Sequence, residues 1–174
     1  MVPSSYDAFL TATATAAAAL IGLLFVAVSV RDETIFGAKA TAGGEALAIT
    51  AFSGLVNSFV VSLLGLVPGA NIGVAATVMA VLNVVTIIRL HSRLHWARSS
   101  IALLIAVVAY LFQLVFGIVL LVNPHHQEIE NLSYIMFATL IVSLQRAWAL
   151  LKGKHLAPHA DEPPAAPAGE PGIS

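Results

Sequence analysis

Long apolar segments, separated by short polar connections, follow one another along most of the chain. A helix needs about 20 mainly apolar residues to cross the roughly 30 Å hydrocarbon core of a bilayer. Five segments meet this requirement: Ala8–Val30, Ala46–Leu66, Ala70–Ile88, Ser99–Val122 and Leu132–Leu151. The pattern therefore predicts an all-α, polytopic membrane helix bundle with five transmembrane helices.

Turn residues separate several of these segments. Pro68-Gly69 lies between the second and third segments and predicts a tight hairpin. Asn123-Pro124 ends the fourth segment, because proline cannot continue a helix and restricts the residue before it. The first segment is longer than the apolar part of a cleavable signal peptide, and no Lys or Arg precedes it. We therefore expect it to be a retained helix.

The basic residues all fall on one side of the predicted bundle. They lie after the first and third segments or at the end of the fifth: Arg31, Lys39, Arg89, Arg93, Arg98, Arg146, Lys152 and Lys154. The N-terminal residues, the Pro68-Gly69 hairpin and the connection at 123–131 carry none. Because short cytoplasmic loops are enriched in Lys and Arg, this predicts an N-terminus outside and a C-terminus in the cytoplasm.

Composition supports a lipid environment. Hydrophobic residues make up 59% of the 174 residues and charged residues only 10%, whereas soluble domains carry about a quarter charged residues. We expect residues 1–156 to form the bundle and the Pro/Ala-rich residues 157–174 to form a disordered cytoplasmic tail. The formal net charge of −1 gives no reason to expect a nucleic-acid partner.

The predicted spans contain no Asp, Glu or His, and the chain contains no Cys. Metalloprotease, aspartyl-dyad and serine–histidine chemistry at membrane depth each require such groups, and proton-coupled transport usually does as well. The sequence also lacks an H-E-x-x-H helix, a G-x-S-x-G elbow and a P-loop. We therefore expect no enzymatic activity, no cofactor and no metal.

His91 and His95 are the nearest approach to a metal site, because residues four apart share one face of a helix. Arg89, Arg93 and Arg98 flank this pair and would repel a cation. We interpret the connection instead as a basic segment that contacts lipid headgroups.

Small and weakly polar side chains form stripes within the spans. They recur at about four-residue spacing as Thr50, Gly54, Ser58 and Ser62 in the second span, as Ala14, Ala18 and Gly22 in the first, with Thr11, Thr15 and Ala19 beside them, and as Ala109, Gln113 and Gly117 in the fourth. Such stripes let helix backbones approach closely. They can pack helices within one bundle, join subunits or line a pore.

Four carboxamides, on Asn57, Asn83, Gln113 and Gln145, should face protein or water rather than lipid. Asn57 and Gln113 lie near mid-span and can satisfy each other within one bundle. Repeated around a symmetry axis, such residues can instead form a neutral hydrophilic constriction. The candidate pore or helix-interface residues are Ser58, Asn57, Asn83, Gln113 and Ser62.

The first span also carries a family resemblance. An Ala-rich stretch leads into the block Gly22-Leu-Leu-Phe-Val-Ala-Val-Ser-Val30, and the second span ends in Leu66-Val-Pro-Gly69. Over roughly the first 70 residues, the chain resembles a family of small, poorly characterised bacterial integral membrane proteins, many from actinobacteria. Some members carry names that suggest modulation of a membrane protease. The resemblance implies a multi-pass protein of the bacterial cytoplasmic (inner) membrane and assigns no catalytic residues.

These patterns favour a non-catalytic interaction or regulatory protein that acts through other membrane proteins or through self-association as a homo-oligomer. The alternative is an oligomeric channel or facilitator for a small solute. A third hypothesis is a lipid-handling protein or enzyme that grips headgroups with Arg89, Arg93 and Arg98. The lipid bilayer is a partner in every case.

Overall fold

The computed structural model describes residues 2–30, 35–37, 42–94, 100–123 and 126–152. This part of the chain is almost entirely helical and contains no strand. A short 3-10 turn, Ser4–Tyr6, is followed by five helices: α1 Asp7–Val30, α2 Ala42–Leu66, α3 Ile72–Leu94, α4 Ser100–Val122 and α5 His126–Leu151. All five contain stretches long and apolar enough to cross a membrane, which confirms the predicted all-α fold with five spans.

Three helices extend by at least one turn beyond the apolar segments that predicted them. α5 begins at His126 rather than Leu132, α2 begins at Ala42 rather than Ala46, and α3 continues past Ile88 to Leu94. Hydropathy marks the residues that can lie at hydrocarbon depth, whereas polar residues can continue a helix into the headgroup region. The predicted disordered tail at 157–174 lies outside the described residues.

One end of the bundle is formed by the α2–α3 turn, Val67–Asn71, and we call it the hairpin end. Gly69 in this turn has a φ of 81°, a left-handed conformation that glycine adopts without a steric penalty. Val2 lies beside the turn, as do Leu120 near the end of α4 and Ile129 near the start of α5. Residues near the start of the chain, the α2–α3 turn, the end of α4 and the start of α5 thus meet at this end.

We call the opposite end the basic end, because α3 carries Arg89 there and Lys152 follows α5. At this end Lys152 Nζ lies 5.5 Å from the ring centroid of Trp148, whose side chain is exposed. Trp is enriched at membrane–water interfaces, and a cation over its ring is held by electrostatic attraction.

Helix α2 occupies the middle of the bundle and packs against α1, α3 and α5. The most extensive contact joins α3 to α4, while α1 lies at the periphery and touches mainly α2. Buried apolar side chains form one cluster toward the hairpin end, around Leu10, Leu120 and Met136, and another toward the basic end, around Leu24 and Leu55. Since lipid is as apolar as leucine, close packing and hydrogen bonds must hold these helices together.

Candidate functional site: a polar core and an outer helix face

Asn57 of α2 and Gln113 of α4 form a reciprocal hydrogen-bonded pair inside the bundle. Asn57 Nδ2 donates to Gln113 Oε1 at 2.9 Å, and Gln113 Nε2 donates to Asn57 Oδ1 at 2.8 Å. Gln113 Nε2 also donates to the backbone oxygen of Ala76 in α3 at 3.1 Å. Both side chains are fully buried. Of the two arrangements that the sequence allowed, these carboxamides adopt the one in which they satisfy each other within one chain.

The Asn57–Gln113 pair bridges two helices whose backbones stay apart. Among the described residues, no Cα of α2 lies within 8 Å of a Cα of α4. Two side chains that end in amides are long enough to meet across this gap. Because an unpaired amide in an apolar interior costs roughly 2–7 kcal/mol, the pair also selects which faces of α2 and α4 point inward.

The α2 stripe, Thr50–Ser62, packs inside the bundle against α5. The Ser58 hydroxyl donates to the Gly54 backbone oxygen at 3.2 Å and lies 3.5 Å from the Met136 backbone oxygen of α5. A Cβ added at Gly54 would collide with the Ser143 side chain of α5. The small residues of this stripe therefore allow a close α2–α5 contact within one chain.

The other two predicted candidates are interior as well. Asn83 is buried, and its Nδ2 donates to the Met79 backbone oxygen of its own helix at 2.7 Å. Ser62 is fully buried, and its hydroxyl has no hydrogen-bond partner in the described part of the chain. Ser58, Asn57, Asn83, Gln113 and Ser62 all point into one bundle, so in this arrangement they do not face an axis between copies.

Two further polar side chains extend this core toward the basic end. Tyr110 of α4, three residues before Gln113, is 5% exposed, and its hydroxyl oxygen is 3.4 Å from where a Gly54 Cβ would lie. Arg146 of α5 is half-buried and interacts electrostatically with Tyr110. Sequence reasoning missed Tyr110, although its spacing from Gln113 places both on one helix face.

Gln145 differs from the other carboxamides, because its side chain lies on the outer surface of α5. It is six residues before Leu151, which corresponds to about 9 Å along the helix axis. From there the amide can reach the headgroup region at the basic end.

The predicted headgroup contacts are only partly described. Arg89 is exposed near the end of α3, where a lipid headgroup can reach it. Arg98 and the side chain of Arg93 lie outside the described part of the structure. Within that part, no group of three or more His, Cys, Asp or Glu side chains is placed to hold a metal ion.

The exposed surface of α1 is formed by small residues as far as Gly22 and includes large apolar ones, Leu23, Phe25, Val26 and Val30, beyond it. Its exposed side includes Thr11, Thr15, Ala18, Ala19 and Gly22, which we call the α1 face. A Cβ added at Gly22 would meet nothing within 4 Å. Ala14, which the sequence placed in line with Ala18 and Gly22, is buried. The predicted line is therefore split, since Ala14 faces the inside of the bundle while Ala18 and Gly22 face the outside.

Unlike the α1 face, the outer surface of α4 is formed by large apolar side chains. Ile105, Phe112, Val115 and Ile118 are all between 46% and 55% exposed there. Large apolar side chains are typical of a lipid-facing helix, whereas small residues are enriched where transmembrane helices meet. The α1 face thus has the composition of a helix–helix contact, and none of the described helices covers it.

The chain matches no family model, no curated protein and no solved structure. The class defined by the fold, a multi-pass membrane protein with five helices, therefore rests on the helices themselves. The resemblance of the first span to a bacterial membrane-protein family stays a prediction.

Proposed function

We propose that this chain is a non-catalytic membrane interaction protein whose α1 binds a transmembrane helix of another membrane protein or of a second copy. The exposed α1 face carries the proposal. Small side chains at Thr15, Ala19 and Gly22 let a partner backbone approach closely. The Thr15 hydroxyl already donates to the Thr11 backbone oxygen at 2.8 Å, so this face needs no partner to satisfy that donor.

The buried polar core supports an interaction function over an oligomeric channel. A channel lined by hydroxyl and amide groups needs polar side chains free to solvate the solute. Asn57 and Gln113 instead use their amides to join α2, α3 and α4. The apolar segments predicted from the sequence also contain no carboxylate or imidazole; Asp7, Glu45 and Glu130 lie near helix ends.

Enlarging the α1 face should weaken association. We expect Thr15→Leu and Gly22→Leu each to weaken it about tenfold, because overpacking a close contact costs roughly 1–3 kcal/mol. Self-association is measured by energy transfer between labelled copies in lipid vesicles. Association with other proteins is measured by cross-linking in native membranes followed by mass spectrometry.

Val115→Leu provides the matched control, since Val115 lies on the outer surface of α4. Like Thr15→Leu, it enlarges the side chain by one heavy atom, and it should leave association unchanged. A wild-type chain that stays monomeric in vesicles and cross-links to no specific protein would contradict the proposal. Equal losses from Val115→Leu and Thr15→Leu would show that the interface is not the α1 face.

We also propose that the basic end faces the cytoplasm of a bacterial cell, with the chain in the cytoplasmic membrane. The distribution of Lys and Arg supports this orientation. Because the chain has no cysteine, single substitutions report accessibility without background. Ser4→Cys, at the hairpin end, should react with a membrane-impermeant maleimide in intact spheroplasts. Ser92→Cys, near the end of α3, should react only after lysis; the reverse pattern would invert the orientation.

A further inference from the structure

A groove of about 500 Å³ opens between α1 and α5 at the hairpin end. The side chains that matter for its chemistry are Ser5, Tyr6, Phe9, Glu130, Tyr134 and Phe137. A groove of this volume lies within the usual size range for small-molecule sites, roughly 300–1,000 Å³. It lies apart from both the polar core and the α1 face.

The groove changes character with depth. Glu130 lies in the second turn of α5, and its Oε1 accepts a hydrogen bond from the Tyr134 hydroxyl at 3.0 Å. Phe137 follows seven residues after Glu130, about 10 Å further along the helix axis. Tyr134 and Phe137 are 65% and 51% exposed. The Glu130 carboxylate thus lies nearer the hairpin end, and the aromatic side chains of Tyr134 and Phe137 lie further along α5.

We propose that this groove binds a phospholipid whose headgroup carries an ammonium group. The ammonium binds the Glu130 carboxylate beside the aromatic surfaces of Tyr6 and Tyr134, which attract cations. The acyl chain lies along Phe9 and Phe137. The Ser5 hydroxyl is exposed and able to donate to the phosphate.

The charges around the groove favour an ammonium over an anionic headgroup. The sequence contains no Lys or Arg in residues 1–30 or 99–145, the stretches that build both walls. Among the described side chains, the half-buried Glu130 accepts a hydrogen bond from Tyr134. The side chains of His125 and His126 lie outside the described part of the structure. Asp7 adds an exposed carboxylate at this end. A lipid with only negative charge would be repelled by these carboxylates and would find no Lys or Arg on either wall.

The absence of Lys and Arg from the hairpin end also argues against a second copy of this chain as the occupant of the groove. A parallel copy would bring its own hairpin end to this level, and that end carries no Lys or Arg. Its helices would bring no Lys or Arg to the Glu130 carboxylate. An ammonium lipid supplies both the charge and the flexible apolar tail.

The test compares phosphatidylethanolamine with phosphatidylglycerol of identical acyl chains. Purified protein is titrated with each lipid in detergent, and bound lipid is counted by native mass spectrometry. We expect phosphatidylethanolamine to bind at least about tenfold more tightly, and Glu130→Gln to remove this preference, because a charge-assisted hydrogen bond is lost. Glu45→Gln, which neutralises a carboxylate in the first turn of α2 at the other end, is the matched control and should keep the preference.

A second variant keeps the test independent of the carboxylate. Tyr134→Leu preserves apolar bulk at an exposed position and removes the aromatic surface, so it should weaken phosphatidylethanolamine binding several-fold without altering helicity. Equal binding of the two lipids by the wild-type chain would overturn the proposal. So would a dimer that cross-links through Cys substitutions at Phe9 and Phe137, because a protein would then fill the groove. Neither outcome bears on the α1 face.

Discussion

Gly73→Ala and Gly117→Ala are each expected to destabilise the bundle by about 1–3 kcal/mol, because both force atoms into a filled contact. A Cβ at Gly73 would lie 2.7 Å from the Gly117 backbone oxygen and 2.9 Å from the Leu121 backbone nitrogen. A Cβ at Gly117 would lie 2.9 Å from the Thr77 backbone nitrogen. Backbone atoms cannot rotate aside, so α3 and α4 must separate along the most extensive contact of the fold.

Gly22→Ala is the matched control for this prediction. Gly22 also lies inside a helix, but a Cβ there meets nothing within 4 Å. Replacing a helical glycine by alanine without a clash should stabilise by up to about 1 kcal/mol. The free energy of unfolding is measured by SDS titration in detergent micelles, followed by circular dichroism. Similar changes at Gly22 and Gly117 would contradict a close α3–α4 contact.

The second large effect is expected at the Asn57–Gln113 pair. Gln113→Met replaces the amide by an apolar side chain of similar length and leaves the buried Asn57 amide without its partner. We expect a loss of about 1–3 kcal/mol. Asn57→Leu should cost less, because the Gln113 amide nitrogen keeps its hydrogen bond to the Ala76 backbone oxygen.

A double-mutant cycle tests whether these two residues act as a pair. In the Asn57→Leu/Gln113→Met variant no amide is left unsatisfied, so we expect it to be at least as stable as Gln113→Met alone. Residues that share a hydrogen-bond network typically show coupling of about 0.5–3 kcal/mol. The same SDS titration provides the measurement. Strictly additive losses would show that the two amides do not depend on each other.

The five spans were predictable because the bilayer acts on each helix separately. A segment is selected by its own length and apolarity, whichever segments surround it. The helix ends at His126 and Leu94 were less predictable, since polar residues outside the hydrocarbon do not end a helix. Pro68-Gly69 was predictable as a turn from its local backbone preferences, and Gly69 has a positive φ in that turn.

The interior of the bundle was only partly predictable. The cost of burying a polar group predicted that the Asn57 and Gln113 amides need partners. It did not decide between a pair within one chain and a ring around a symmetry axis. The interaction between Tyr110 and Arg146 was not predicted, because no sequence pattern assigns α4 and α5 as neighbours.

Sequence alone thus determined the number of helices, the hairpin between α2 and α3 and the position of every Asp, Glu and His outside the predicted apolar segments. All three follow from local composition. The partners and outward faces of the helices depended on tertiary packing. Lipid is as apolar as the side chains that face it, so hydrophobic periodicity does not separate an inner from an outer side. Asn57 and Gln113 meet across 56 residues of sequence, and Ala14 is buried while Ala18 and Gly22 are exposed, only because of how α2 lies between its neighbours.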